Sequence, residues 1–450
     1  MDYKFIRILM VSICLLATQV NAASKANYEV VLKNNIDPQG PGSAAIVTQG
    51  NKTLFIGARG MANIELNSKL TDKNVFRLGS ITKQFTAAAI MMLQEQNKLS
   101  VKDNINKYAK DYPTEGHTIT IEHLLTHTSG LANYTDSREI MSQRIQESIG
   151  LDQMLELFAK DKMLFAPGEQ MRYSNTGYVL LGKIIEVASG QGYAEFIEEN
   201  IFKKLGMKNS FYGGRQIINN RALGYTYGEK GIANASLIDM SWPHAAGSLV
   251  STVEDLNIWY RALKDGKILS KQSYEQMIQP FKLNDGTESN YGYGLGLTKI
   301  NQYEAIGHGG GIPGFATQAF YFPQKDIFVA VFSNADFASP RYIAIQLAAL
   351  ALDIDIPEFK PAKVDSGKLK AMMGTYKLAS GSVRQLSLEN GKVYSQRDQG
   401  RKWEIIPMSE NSFYFEGSLS YFVIEKNDAG ETVMNFYSDL AEKPEPAIKI

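Results

Sequence analysis

The sequence predicts an α/β protein, more narrowly α+β. An antiparallel sheet is flanked by helices, a helical lobe is set between its strands, and a small antiparallel β-barrel follows at the C-terminus. Three observations carry that expectation. Strand-like alternation appears near the start and returns from Tyr293 onward, with a helix-rich stretch between. Beyond residue 367 the pattern changes to short alternating runs separated by turn signals. With 44% hydrophobic residues over 450 positions, the chain has material for one large domain and one small one.

The elements follow in order. Residues 1–22 carry Lys4 and Arg7, then the apolar run Ile8–Leu16, then Val20-Asn21-Ala22 as a small-residue cleavage site, which reads as a secretory signal peptide. Its Cys14 is the only cysteine and follows Ile13, where a lipoprotein signal needs a small residue. The mature chain is therefore expected to have no thiols, disulfides or Cys-ligated metal, and to be exported to a periplasm or the medium. No later apolar run approaches the length of a membrane span. The 47 basic and 47 acidic residues balance without a basic stripe, which argues against nucleic acid as a partner.

Ala44–Thr48 and Thr53–Gly57 flank Gln49-Gly50-Asn51-Lys52, a hairpin by turn chemistry. Strands return at Tyr293–Thr298, Glu304–Ile306, Ala316–Phe322 and Ile327–Ser333, ahead of a helix at Arg341–Leu352. Residues 23–352 thus form the large domain, and 353–367, rich in Pro and charge up to Lys363, a linker. In 368–450, strands are expected at Ser382–Leu388, Lys392–Gln396, Trp403–Pro407, Ser412–Phe415, Tyr421–Glu425 and Thr432–Tyr437, a spacing that suits a small barrel.

The chemistry concentrates in three places. Ser80-Ile81-Thr82-Lys83 opens the most hydrophobic helix of the mature chain, and side chains at i and i+3 share a helix face. A serine hydroxyl is a weak nucleophile until a neighbour takes its proton, and burial lowers an amine's pKa so that a lysine can do so. Tyr173-Ser174-Asn175 lies on the loop after Pro167-Gly168, entering a second apolar helix. There the phenol is placed to shuttle protons if ammonium groups lower its pKa, and the Asn amide to orient Lys83 or a substrate carbonyl. His308-Gly309-Gly310-Gly311 sits between apolar segments, where glycines mark a bulge or a close approach and offer an N–H to an oxyanion.

Taken together and in this order, the three elements resemble the active site of the serine β-lactamase and penicillin-binding-protein family, with its S-x-x-K, S-D-N and K-T-G motifs. The branch with Tyr-x-Asn in second place includes class C β-lactamases, D,D-carboxypeptidases, D-aminopeptidases and related esterases. Phe76–Lys83, His123–Leu131 and Gly307–Phe315 carry further family landmarks, and the resemblance covers roughly residues 28–352. It implies a β-lactamase/transpeptidase-like fold and a catalytic trio of Ser80 as acylated nucleophile, Lys83 as its proton acceptor and Tyr173 as general base and acid. Asn175 holds Lys83 and the substrate amide. His308, Gly310 and Gly311 line the substrate side, with the N–H groups of Ser80 and Gly311 as the oxyanion hole. No cofactor or metal is implied. The C-terminal segment resembles the lipocalin-like domain appended to many members.

His308 replaces the lysine of K-T-G, and with it a permanent charge for a substrate carboxylate. The expectation is therefore an exported serine hydrolase of small peptides, amides or esters with D-amino-acid components. A true β-lactamase ranks below it, and below that an idle relative that binds cell-wall peptides or a partner protein. Oligomeric state is not set by the sequence. Other chemistries fit less well. His123 and His127 stand four apart but lack the Glu and third ligand of a zinc site, and no serine lies in a G-x-S-x-G elbow. Gly292-Tyr293-Gly294-Leu295-Gly296 lacks the lysine of a phosphate-binding loop, and Glu169 reads as a solvated turn residue.

Overall fold

A computed structural model describes residues 26–450. The expected signal peptide at 1–22, Cys14 included, lies outside those residues. The chain divides into two compact units: one runs up to Thr298 and includes Ala305–Ala351, and the other joins Lys299–Glu304 to Leu352–Ile450.

In the first unit the sheet is assembled from both ends of the sequence. Its order is Gly296–Ile300, Tyr303–Ile312, Phe315–Phe322, Ile327–Ser333, Ser43–Gln49, Lys52–Arg59. The join between early and late strands is antiparallel, with Ala45 opposite Val331 and Val47 opposite Val329. Every residue of Ile327–Ser333 is buried, which explains its unbroken apolar run. The sequence places the late strands but shortens one: Tyr303–Ile312 continues through His308–Gly311, which expectation ended at Ile306. Glycine runs score poorly as strand, yet here the pairing of Gly309 with Gln318 and Gly311 with Ala316 holds them extended.

The helical part is built round Thr82–Glu95, whose residues 82–93 are all buried. A helix closed in on every side needs small residues where neighbours crowd it, and Ala87-Ala88-Ala89 supply them. Phe85 stacks on Trp259 with ring centroids 4.2 Å apart and meets Phe202 edge-on at 5.7 Å. The helix Asn175–Ser189 packs alongside and stops at Gly190, whose φ of 75° is the left-handed cap that glycine adopts without strain.

The second unit holds a closed eight-stranded antiparallel barrel. Expectation found six of its strands. The two it lacked, Gly374–Leu378 and Glu445–Lys449, pair with each other and close the barrel, with Tyr376 opposite Lys449. Both are short and carry Gly, Lys or Pro, so neither advertises a strand. Closure leaves no free sheet edge. Leu386, Val393, Ile405, Phe413, Phe422 and Met434 fill the core. Residues 353–365 have no helix or strand but are not a free tether: Ala362 donates its N–H to the Pro407 carbonyl at 2.8 Å, and Phe359 stacks on Tyr414 at 5.2 Å.

Candidate active site

Ser80 sits in a single 3-10 turn, Gly79–Ile81, that runs directly into the buried helix. Gly79 enters that turn with φ +54°, and a Cβ there would lie 3.0 Å from the Gly311 nitrogen. The turn is anchored on its other flank, where Leu78 donates to the Leu249 carbonyl at 2.9 Å and Leu249 donates to the Thr82 hydroxyl at 3.1 Å. Two strands thus grip the nucleophile turn from opposite sides.

Lys83 is fully buried. Its Nζ lies 3.1 Å from Ser80 Oγ, 2.7 Å from Asn175 Oδ1 and 2.9 Å from the Ala246 carbonyl. No carboxylate is among its partners, and burial holds its pKa well below the ordinary 10.5. As an ammonium it donates one N–H to each of the three oxygens; as the neutral amine that burial favours, it keeps two donations to the carbonyl oxygens and has a lone pair for the Ser80 proton. Asn175 is itself fixed, since Asn133 Oδ1 accepts its backbone N–H at 3.0 Å.

Tyr173 presents its ring to Lys83, with Nζ 4.8 Å from the centroid. Its hydroxyl is buried, faces Ser80 and makes no hydrogen bond of ordinary geometry. The sequence made proton shuttling by this phenol conditional on ammonium groups lowering its pKa. Burial instead raises it above the usual 10, so the hydroxyl keeps its proton at neutral pH. The reason is that the same burial discourages charge on Lys83, the cation that would have done the lowering.

His308 accepts a hydrogen bond from Tyr291 at Nε2, 2.8 Å away, and donates from Nδ1 to the Gly309 carbonyl. The Gly309 carbonyl fixes the proton on Nδ1, which leaves Nε2 of the neutral ring to accept from Tyr291. Burial first, and the nearby Lys83 second, push its pKa down to about 4. The ring therefore lies below the ordinary 6.5 of a free imidazole, and it does not restore the permanent charge of the lysine it replaces. Gly310 departs from its expected place on the substrate side: a Cβ there would come within 2.0 Å of the Leu78 carbonyl, so it serves the close approach of strand and turn. Gly311 does face the nucleophile, sharing with Ser80 and Asn175 the wall of a cavity of about 80 Å³. Tyr173 and His308 line a wider neighbouring one of about 360 Å³.

Three contributors were not read from the sequence. The Ala246 carbonyl left no signal, because backbone atoms carry none. Tyr291 stood beside the glycine-rich stretch without any motif. His127 lay within a quoted landmark, and its buried ring packs 4.2 Å from Tyr173 while Nδ1 accepts the Ser174 N–H at 3.1 Å. It positions Tyr173 rather than a metal. His123 turns away to cap its own helix through the Thr120 N–H at 3.2 Å, and among the described residues no group of three metal-ligating side chains occurs.

With that geometry in hand, comparison with known proteins is direct. Residues 29–353 match the family described as Beta-lactamase. The chain belongs to that family. It is a serine hydrolase of the β-lactamase family, the class whose members work through an acyl-enzyme. The chain is 29% identical to a penicillin-binding protein of Bacillus subtilis over 399 residues, 82% of this chain and 86% of that one. Among solved structures it resembles an octameric penicillin-binding protein homologue from Pyrococcus abyssi, with TM-score 0.66 and 27% identity over 92% of this chain and 96% of the other. A D-stereospecific amidohydrolase from Streptomyces sp. matches 71% of this chain and 97% of its own, with TM-score 0.62 and 27% identity.

Proposed function

We propose that this protein is an exported hydrolase that forms an acyl-enzyme on Ser80 with peptide, amide or ester substrates, including those built from D-amino acids. One observation carries the reading: a buried lysine without a carboxylate partner lies 3.1 Å from a serine hydroxyl at the wall of a cavity. Neutral Lys83 accepts the Ser80 proton as Oγ bonds to the substrate carbonyl carbon, and the carbonyl electron pair moves to its oxygen. The N–H groups of Ser80 and Gly311 are the donors offered to that oxyanion. Its collapse breaks the bond to the leaving group, which takes a proton passed from the Lys83 ammonium through the Tyr173 hydroxyl. Water then attacks the ester carbonyl and passes its proton along the same path to Lys83; collapse breaks the bond from Ser80 Oγ to the acyl carbon, the acid leaves, and the Lys83 ammonium returns the proton to Ser80 Oγ.

A neutral His308 offers no charge to a free carboxylate, which favours amides, esters and peptides engaged away from their C-terminus over β-lactams. The D-stereospecific amidohydrolase relative points the same way. Export rests on the sequence of residues 1–22. The test is labelling with a fluorophosphonate, read by peptide mass spectrometry, beside turnover of a D-alanine amide, a short-chain ester and a cephalosporin. Label on Ser80 alone, lost in Ser80→Ala, with amide or ester preferred, is the expected result. Label on another serine overturns the assignment of Ser80, and preferred cephalosporin turnover makes the protein a β-lactamase.

A further inference from the structure

A third cavity in the first unit, about 420 Å³, has an unusual wall: Arg77, Arg215 and Arg221 with only Asp239 to oppose them. The three arginines reach it by different routes. Arg77 lies on the short strand Phe76–Arg77, opposite Val250, three residues before the nucleophile. Arg221 is brought alongside by backbone pairing, with Val75 donating to the Asn220 carbonyl at 3.0 Å and Ala222 donating to the Val75 carbonyl at 3.0 Å. Arg215 stands at the rim, largely exposed and 3.9 Å from Asp239.

The one carboxylate is already engaged. Asp239 Oδ1 accepts the Ser241 N–H at 3.0 Å and the Ser241 hydroxyl at 2.7 Å. Among the described residues, no carboxylate comes within ion-pair distance of Arg77 or Arg221. Arg77 keeps only the face of the Phe315 ring, 5.9 Å from its guanidinium. A half-buried guanidinium without an anion is costly, and the charge of the exposed Arg221 beside Arg77 adds repulsion. Burial and the charge of Arg221 both work against the Arg77 cation, holding its pKa down to about 10. Proteins keep such an arrangement where an incoming anion relieves it.

The position adds the rest. Ile238 walls both this cavity and the one that holds Ser80, Asn175 and Gly311. Tyr212 and Ser241 line it too, but their hydroxyls donate to the Met240 carbonyl and to Asp239, so the guanidinium groups are the donors left for an anion. We infer that Arg77 and Arg221 form an anion-binding subsite beside the catalytic cavity, taking a carboxylate or phosphate group carried by the substrate. The class of substrate deepens from amides and esters in general to those bearing an acidic group remote from the bond that is cut. Only that last step rests on the proposed function; the anion site stands on its own.

Two arms test the two parts. Binding is measured by titration calorimetry on Ser80→Ala protein with inorganic phosphate and, separately, succinate, so that loss of catalysis cannot mask it. At least one anion should bind, and Arg221→Gln should weaken it roughly tenfold or more, the size of a charge-assisted hydrogen bond. Which anion binds more tightly identifies phosphate or carboxylate as the group recognised. Arg77→Gln, with folding checked by its melting transition, should do the same from the other side of the pocket. No binding by the parent, or equal binding by both variants, overturns the anion site. In the kinetic arm, the kcat/KM ratio of N-succinyl- to N-acetyl-D-alanine amide should fall roughly tenfold in Arg221→Gln when carboxylate is the recognised group. If phosphate binds more tightly, an N-phosphoryl substrate replaces the succinyl one. An unchanged ratio leaves the anion site standing and overturns its link to substrate.

Discussion

Each of the two units buries a cation, and they do it in opposite ways. In the catalytic unit Lys83 is enclosed by a hydroxyl, an amide oxygen and a backbone carbonyl, with no negative charge to keep it ionised. In the barrel Arg384 bonds to Ser395 Oγ at 3.1 Å and lies 4.5 Å over the Phe436 ring; burial and the charge of Arg397 lower its pKa, and the carboxylates of Glu445 and Asp398 offset part of that. An ammonium in the first setting can shed its proton, whereas a guanidinium in the second cannot. One buried cation is a base in waiting, and the other is part of the frame. What separates them is the environment and the residue type together, since an arginine at position 83 would remain an acid.

The largest expected effect comes from removing the base. Lys83→Met should slow acylation of Ser80 by roughly 10²–10⁴-fold, the share of a general base, while the protein still folds with a lower melting temperature because Asn175 Oδ1 and the Ala246 carbonyl lose their donor. Stopped-flow labelling with a fluorophosphonate measures it, and an unchanged rate would mean another group takes the proton.

Asn175→Asp should erase the contrast between the two cations. A carboxylate 2.7 Å from Nζ favours the ammonium, so the Lys83 pKa rises and activity at neutral pH falls. Activity should return as the pH is raised. A profile that keeps its wild-type midpoint would show that Lys83 titration does not govern the rate.

How far the sequence reaches follows the same division. The fold was legible where hydrophobic patterns had length, in Ile327–Ser333 and in the helix from Thr82. It faded at Gly374–Leu378 and Glu445–Lys449, whose strand character exists only because each pairs with the other. In the site, Ser80 and Lys83 were readable because i, i+3 spacing carries their geometry, and Asn175, 92 residues from Lys83, because the resemblance supplied its motif. Asn133, Tyr291 and the Ala246 carbonyl were not, because each acts through a contact made at long sequence range. The state of Tyr173 and His308 was not legible for one physical reason: residue type sets an ordinary pKa, and only packing shows how much burial moves it.

Smaller effects should appear in the barrel. Arg384→Leu leaves the Ser395 hydroxyl buried without its donor, at a cost of about 1–3 kcal/mol. Thermal unfolding should register that loss while turnover per folded molecule stays unchanged. A fall in turnover would give Arg384 a part in the chemistry.

Acid should also distinguish the units. All five histidines lie upstream of residue 352. Burial puts His244 and His308 at about 4 and His127 well below its ordinary 6.5. The unfolded chain therefore takes up protons first, so the stability of the catalytic unit falls as pH drops from about 6.5 toward 4 and is full above that window. The barrel has no histidine and should show no such loss between those values. Calorimetric scans across this range read both transitions, and an unshifted catalytic transition would contradict the burial of these rings.

The central claim is that Lys83 is neutral when Ser80 attacks. The rate of Ser80 acylation by a neutral fluorophosphonate, followed from pH 5 to 11, tests it most directly. The account predicts a rise to a plateau with one midpoint far below the 10.5 of a free lysine, absent in Lys83→Met. A rate still climbing through pH 10.5, or a midpoint that survives in Lys83→Met, would contradict it.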